Sequence, residues 1–338
     1  MIRTFVVALV ALLAVGCATT TPRRPGTQSY VLPRSAKAEG NTRFIVFDLG
    51  QADGMLVIRN GRTLLVDAGV SRFGRPGDRG IARILREAVP SGHLDIVLIT
   101  HYHADHVGAP LDEAGGGATG LFDVVNDGFT IGTIVDRGDT IYGKAGDTML
   151  AYQNALSRWL ADGRVGERRI AKAGDVLDLA DGLRIEVVAA NSNGVLEEKL
   201  RQDPKAFEKF EPSENDLSVA LKFTQGDFEL FAGGDLSGEN LKTDYGGSYS
   251  DIESLVAARV GDVEVYKVNH HGSDHSTNAC FARVLDPEVS IFTTGVNRYR
   301  HPAKRVFRTL SDRGDVRVTG GADDRALAEE PSIGNAVV

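Results

Sequence analysis

The chain has 338 residues, 42% of them hydrophobic, enough for one large globular domain or two small ones. Its formal net charge of −8 excludes a general nucleic-acid coat protein, which needs a basic surface, but not a local basic groove. No internal stretch is apolar over a bilayer's width, and no solenoid or propeller period repeats.

The N-terminus reads as a processing signal. Arg3 supplies a positive start, and Phe5 to Val15 form an apolar core too short to span a membrane. Leu13-Ala14-Val15-Gly16-Cys17 resembles a bacterial lipobox, although Ala14 stands where Leu is usual and leaves ordinary secretory cleavage open. Residues 1–17 are therefore expected to be a lipoprotein-type signal peptide. A lipidated Cys17 would anchor the exported protein to a membrane, facing the periplasm or the cell exterior. The other cysteine is Cys280. With Cys17 lipidated, the domain is expected to fold without disulfides and Cys280 to be a small core residue. Residues 18–41, rich in Thr, Pro, Ser and Arg, read as a flexible tether.

One globular domain is expected over residues 42–320. It begins with strands at Arg43 to Phe47, Gly54 to Ile58 and Thr63 to Asp67, the last two joined by the hairpin signal Asn60-Gly61. Helical spacing over Ile81 to Val89 precedes a buried strand at Asp95 to Thr100. Gly115 to Gly146 reads as loop with short strands, and Thr148 to Leu160 as a helix. Strands follow near Val176 and at Arg184 to Val188, then a charged surface excursion at Leu196 to Phe210. Leu217 to Phe223, Phe228 to Ala232, Val263 to Val268 and Val289 to Thr293 read as strands, with helices over Asn278 to Leu285 and Ala303 to Arg313. Residues 321–338 read as a loosely attached tail. Strands interspersed with helices in both halves imply a layered α/β arrangement.

Chemistry concentrates at His101-Tyr102-His103-Ala104-Asp105-His106, which follows a buried strand. Three of the chain's eight histidines lie here with a carboxylate between them. Neutral imidazole is the commonest transition-metal ligand, and alternation on extended backbone points His101 and His103 the same way. Asp105 and His106 are then placed to face a second ion. Such a donor set suits zinc and can also hold manganese or iron.

His-x-His-x-Asp-His after a strand resembles the signature of the metallo-β-lactamase superfamily, which implies an αβ/βα four-layer sandwich. Asp67-Ala68-Gly69 resembles the family's upstream Asp-x-Gly, Gly234-Asp235 its metal-bridging Asp, and His270-His271 its last metal-binding His. The family usually carries one further His ligand, but no His occurs from Val107 to Asn269. In its place, Asn215-Asp216-Leu217-Ser218 resembles a segment of the branch holding the C-terminal domain of the competence protein ComEC and secreted phosphorylcholine esterases. Phe47-Asp48-Leu49-Gly50-Gln51-Ala52-Asp53, His270-His271-Gly272-Ser273 and Asn297-Arg298-Tyr299-Arg300-His301-Pro302 resemble further motifs of that branch.

The resemblance implies two divalent metal ions, zinc foremost and manganese second, held by His101, His103, Asp105, His106, Asp235 and His271. Catalytic roles fall to Asp105, His270, Asn215 and His301. A hydroxide held by the ions would attack, because metal binding lowers the pKa of water from about 15.7 to roughly 7. Asn215 would donate to a phosphoryl oxygen, or serve as a turn cap. His301 would protonate the leaving oxygen as an imidazole near its own pKa. Gln51 and Asp53 are equally explained by a strand turn. Arg298, Arg300, Lys304, Arg305 and Arg308 form a solvated face or attract a phosphate-bearing chain.

The expected function is cleavage of a phosphoester or phosphodiester, in extracellular DNA or an envelope phosphopolymer. The alternatives are a lactonase or β-lactamase-type hydrolase, and a non-catalytic surface lipoprotein that binds nucleic acid during DNA uptake. Expected partners are a phosphate-bearing substrate, nucleic acid as one form of it, and the membrane; no protein partner is inferred.

Overall fold

Asn60 and Gly61, both at positive φ (49° and 77°), close the first hairpin in the mirror-image turn that their types favour. A computed structural model describes residues 42–70, 80–110, 117–142, 146–206, 211–242, 247–320 and 336–337. The signal peptide and tether lie outside the described residues.

The first sheet holds β1 (Thr42–Val46), β2 (Gly54–Arg59), β3 (Arg62–Ala68), β4 (His93–Leu98), β5 (Thr130–Asp136), β6 (Val165–Ile170) and β17 (Ala336–Val337). Its order is β17-β1-β2-β3-β4-β5-β6, antiparallel as far as β3 and parallel beyond it. The second sheet holds β7 (Val176–Leu177), β8 (Arg184–Ala189), β10 (Ala220–Gln225), β11 (Phe228–Ala232), β14 (Val265–Lys267), β15 (Val289–Phe292) and β16 (Asp315–Val318). Its order is β16-β15-β14-β11-β10-β8-β7, parallel from β16 to β11 and antiparallel beyond. A small third sheet joins β9 (Glu211–Pro212), β12 (Leu241–Lys242) and β13 (Gly247–Tyr249).

Strand alternation sorts apolar side chains into three cores. Phe44, Val46, Met55 and Val57 of the first sheet meet Ile185, Leu221, Phe223 and Leu230 of the second. The Phe44 and Phe223 rings lie edge to face with centroids 5.3 Å apart, a pairing worth roughly 0.5–1.5 kcal/mol beyond the area buried. The opposite face of the first sheet packs Ile45, Leu56 and Leu65 against α1 (Ile81–Ala88), α2 (Ala104–Val107), α3 (Leu121–Asn126) and α4 (Asp147–Ala161). The second sheet's outer face packs Phe231 and Tyr266 against α6 (Ile252–Val260), α7 (Ala279–Leu285) and α8 (Lys304–Ser311). The order helix, sheet, sheet, helix is the four-layer sandwich expected from the sequence.

Several elements differ from the sequence reading. Gly115 to Gly146 contains α3 and the central strand β5. Gly132 sits inside that strand because a Cβ there would stand 2.6 Å from the Asp95 carbonyl oxygen, so it marks close packing and not a loop. The charged excursion includes the helix α5 (Val195–Gln202). Within the tail, Ala336–Val337 pair with β1, and the rest lies outside the described residues.

Cys280 differs from the core residue expected: it is half-buried in the first turn of α7. The core face of that helix belongs to Phe281, Ala282 and Leu285. Among the described residues no helix is long and apolar enough to cross a membrane.

Candidate metal centre

Ligand-bearing loops leave the C-terminal ends of parallel strands in both sheets, the edge where α/β proteins place their sites. After β4, His101 stands on non-helical backbone, and His103 caps the one-turn helix α2, which carries Asp105 and His106. After β11 comes Asp235, and after β14 come His270 and His271. Gly69 brings the Asp67-Ala68-Gly69 turn flush against this loop, since a Cβ there would lie 1.7 Å from the Asp105 carbonyl oxygen.

Two donor sets contain the residues read as ligands, and a third groups Asp53 with His106 and Asp235. Ligand atoms of His101, His103 and Asp235 lie within 4.8 Å of one another, as do those of Asp105, His106 and His271. Asp235 touches both sets: its Oδ1 is 3.2 Å from His106 Nε2 and its Oδ2 is 3.8 Å from His101 Nε2. The six residues read as ligands are thus brought together from two distant stretches of chain, residues 101–106 and 235–271.

The donor chemistry fits divalent cations. His106 Nδ1 donates to Asp67 Oδ2 at 2.8 Å, and His271 Nδ1 donates to the Thr293 carbonyl at 2.7 Å. Each bond fixes a tautomer whose Nε2 lone pair faces the cluster. His106 Nε2, His271 Nε2 and Asp235 Oδ1 are all buried without a hydrogen-bond partner, a cost that a bound cation removes. Thr100 completes the buttress, giving its N–H and its hydroxyl to Asp67, each at 2.8 Å.

Residues 47–109 match the family model of the metallo-β-lactamase superfamily. Over that segment the chain is similar to the metallo-β-lactamase superfamily. It also resembles competence proteins: it is 30% identical over 148 residues to ComE operon protein 3 of Bacillus subtilis, covering 44% of this chain and 16% of that protein. Over 129 residues it is 31% identical to competence protein ComA of Neisseria gonorrhoeae, covering 35% and 17% respectively. The chain thus spans about a sixth of the length of the curated relatives it matches. The metallo-β-lactamase fold protein YhfI of Bacillus subtilis is similar in structure, with TM-score 0.48 and 12% identity over 83% of this chain and 98% of that one.

Electrostatics in this site follow from carboxylates enclosed with imidazoles. For His271, burial disfavours the cation, but Asp235, Asp53 and Asp105 outweigh it and raise the ring to about 9. Burial likewise opposes charge on Asp235, and His106, His270 and His271 overcome it, holding the carboxyl well below its usual range.

His270 is mostly buried and lies 3.7 Å from Asp235 Oδ2 and 3.1 Å from the Asn215 amide nitrogen. Burial lowers it to about 4. His301 packs its ring 5.4 Å from that of His270. Burial, with His270 and His271 nearby, lowers His301 to about 3, so it is a neutral donor and not an imidazole near its own pKa.

Four roles escaped the sequence reading. Gln51 donates its amide N–H to His301 Nδ1 at 3.2 Å and accepts from the Thr294 hydroxyl at 2.7 Å, so His301 keeps its proton on Nε2. Asn297 accepts the backbone N–H groups of Tyr299 and His301 at 2.9 and 3.0 Å, shaping the loop that presents the ring. Asp53 is buried behind the ligands, 3.7 Å from His106 and 3.6 Å from His271, with Lys267 and Thr293 donating to it. The signal for the Asp53–Lys267 pair was available: a Lys inside the apolar run Val263 to Val268 demands a carboxylate. All five cations of the basic stretch are exposed, and Arg305 also donates to Asp274 and to the carbonyls of Asp274, Ser276 and Thr277.

Proposed function

We propose that this protein is an exported two-metal hydrolase of phosphoesters or phosphodiesters, tethered by Cys17, with zinc as its foremost metal. His101, His103 and Asp235 would hold one ion, and Asp105, His106, His271 and Asp235 the other. Bound there, the ions supply Lewis-acid stabilisation of a phosphoryl oxygen and an acidified water.

The observation that carries the phosphate reading is the row of neutral donors beside the anionic cluster. Asn215 stands 3.1 Å from His270, and His270 packs beside His301. A tetrahedral phosphoryl group presents several oxygens at once, and three neutral donors match it without adding charge. His301 Nε2–H, aligned by Gln51, would hydrogen-bond the leaving oxygen. The exposed Arg298 and Arg300 on the same loop would draw a polyanion to an otherwise acidic protein.

The test is to purify the chain without residues 1–39, load it with Zn or Mn, and assay bis(p-nitrophenyl) phosphate, DNA, phosphorylcholine esters and nitrocefin. Turnover of at least one phosphodiester above that of nitrocefin is expected. No phosphodiester turnover by folded, metal-loaded protein would sink the reading.

A further inference from the structure

Among the described residues the largest fully buried side chain is a cation, Arg137, and no step of the proposed chemistry uses it. It follows the last residue of β5 and is 1% exposed. Its Nε and Nη2 both reach Glu214, at 2.8 and 2.7 Å, in a bidentate pair. Its Nη1 donates to the Thr140 carbonyl at 2.8 Å, and its guanidinium carbon lies 4.4 Å from the centre of the Tyr102 ring. The backbone beneath is pinned as well. Asp136 takes the Tyr152 hydroxyl at 2.7 Å and two bonds from Arg168 at 2.9 Å, and Asn191 donates to the Arg137 carbonyl at 2.8 Å.

Glu214 connects this cation to the His101–His103 segment of the first donor set and to the turn that carries Asn215, whose amide nitrogen lies 3.1 Å from His270. Its Oε1 accepts the backbone N–H of Tyr102, the residue between His101 and His103, at 2.9 Å. Its chain neighbour is Asn215, buried to 4% exposure, with a carboxamide oxygen that has no hydrogen-bond partner. One carboxylate therefore fixes the His101–His103 turn on the first sheet relative to the Glu214–Leu217 turn that enters the second.

An ion pair with one fully buried partner often gives no more stability than apolar side chains of the same volume; Arg137 is buried and Glu214 is 23% exposed. What it adds is orientation, because a guanidinium fork and a carboxylate meet in one plane. The first donor set has two imidazoles and a shared carboxylate, so it is the one that needs such support. We propose that Arg137, acting through Glu214, is a positioning residue that holds Asn215 at the His101–His103–Asp235 cluster. The first metal position is then set by a buried strut from β5 and not by a third imidazole. This rests on the two-metal reading of the site and is independent of the substrate.

The experiment is a Zn²⁺ titration of the whole chain against a chromophoric chelator, with folding followed by circular dichroism. His103→Ala marks loss of the first position. Arg137→Lys keeps the charge without the fork, and Glu214→Gln keeps an acceptor for Tyr102 without the ion pair. Both should weaken one of two Zn²⁺ positions about 10- to 100-fold, the range for residues that orient ligands, and leave the other as in the wild type. Asn215→Ala should do the same, and the Arg137→Lys/Asn215→Ala double variant should be no worse than the worse single one.

Equal weakening of both positions, or additive losses in the double variant, would show a merely structural pair and overturn the proposal. So would wild-type binding of two Zn²⁺ by both folded Arg137→Lys and Glu214→Gln. A wild-type chain holding a single Zn²⁺ would overturn it together with the two-metal reading, whereas two Zn²⁺ with unaffected variants would overturn it alone.

Discussion

Asp67 shows how much a residue that touches no substrate can decide. Its carboxylate takes three bonds, two from Thr100 and one from His106 Nδ1, so it sets both the loop and the tautomer of a ligand. Asp67→Ala should weaken metal binding about 10- to 100-fold, read by chelator competition on protein whose circular dichroism is unchanged. Asp235 has the larger role. Asp235→Asn should lower kcat/KM on bis(p-nitrophenyl) phosphate by at least roughly 100-fold, about 3 kcal/mol of barrier, with the fold preserved; wild-type turnover would remove it from the bridging position. Gln51→Leu should lower kcat with little change in KM, because it frees the His301 ring without deleting it, and His301→Ala should lower kcat further. The His101–His106 run was legible because its four polar side chains are nearly contiguous, and the cluster could be named before any fold was known. Asp53 was not, since its partner Lys267 lies 214 positions away. Lys267 inside its apolar run demands a carboxylate, but the sequence does not say which one.

At the scale of elements, strands were read correctly where alternation or an apolar run was uninterrupted, as at β2, β3 and β11, whereas β10 begins three residues later than read. β5 was lost because glycine stands in it and beside it, and a sequence cannot tell close backbone approach from a turn. The 3₁₀ form of the Glu214–Leu217 turn was not legible either, although Asn215 could be read as a turn cap. Four residues are too few to show a repeating pattern, and the 3₁₀ geometry of this turn depends on the Ser213 cap and on Arg137. That turn carries Asp216, whose carboxyl accepts the Ser250 N–H at 2.6 Å and is pushed up to about 7 by burial. A folded-state value above the unfolded one means the native state binds the extra proton. Stability from this group is therefore full below the unfolded value and is lost as pH rises towards 7. Asp216→Asn should flatten that slope, so that the fall in urea midpoint between pH 5 and pH 8 is smaller than in the wild type. An unchanged slope would mean that Asp216 titrates as an exposed acid.

Across the whole molecule, the four layers were legible only through the resemblance carried by the site motifs; pattern alone gave a layered α/β arrangement. The metal centre joins the halves, with His101 to His106 from the first sheet and Asp235 and His271 from the second. Anything bound only by the native state stabilises it by mass action, so stripping the metal should lower the thermal midpoint, and added Zn should restore it in a concentration-dependent way. The anchor is tested separately. Cys17 is the chain's only other cysteine, and a thioether lipid would exclude it from a disulfide with Cys280. Palmitate labelling lost in Cys17→Ser but kept in Cys280→Ser would establish the tether, and no labelling of the wild type would remove it. The separation of the ligands along the chain also bears on the history of each molecule. A donor set completed only when residue 271 meets residue 105 does not exist in a nascent or translocating polypeptide. If the chain crosses the membrane unfolded, it leaves the cytosol without its cations, and the metal it carries is chosen by the free-ion concentrations where folding ends, not by those where it was made.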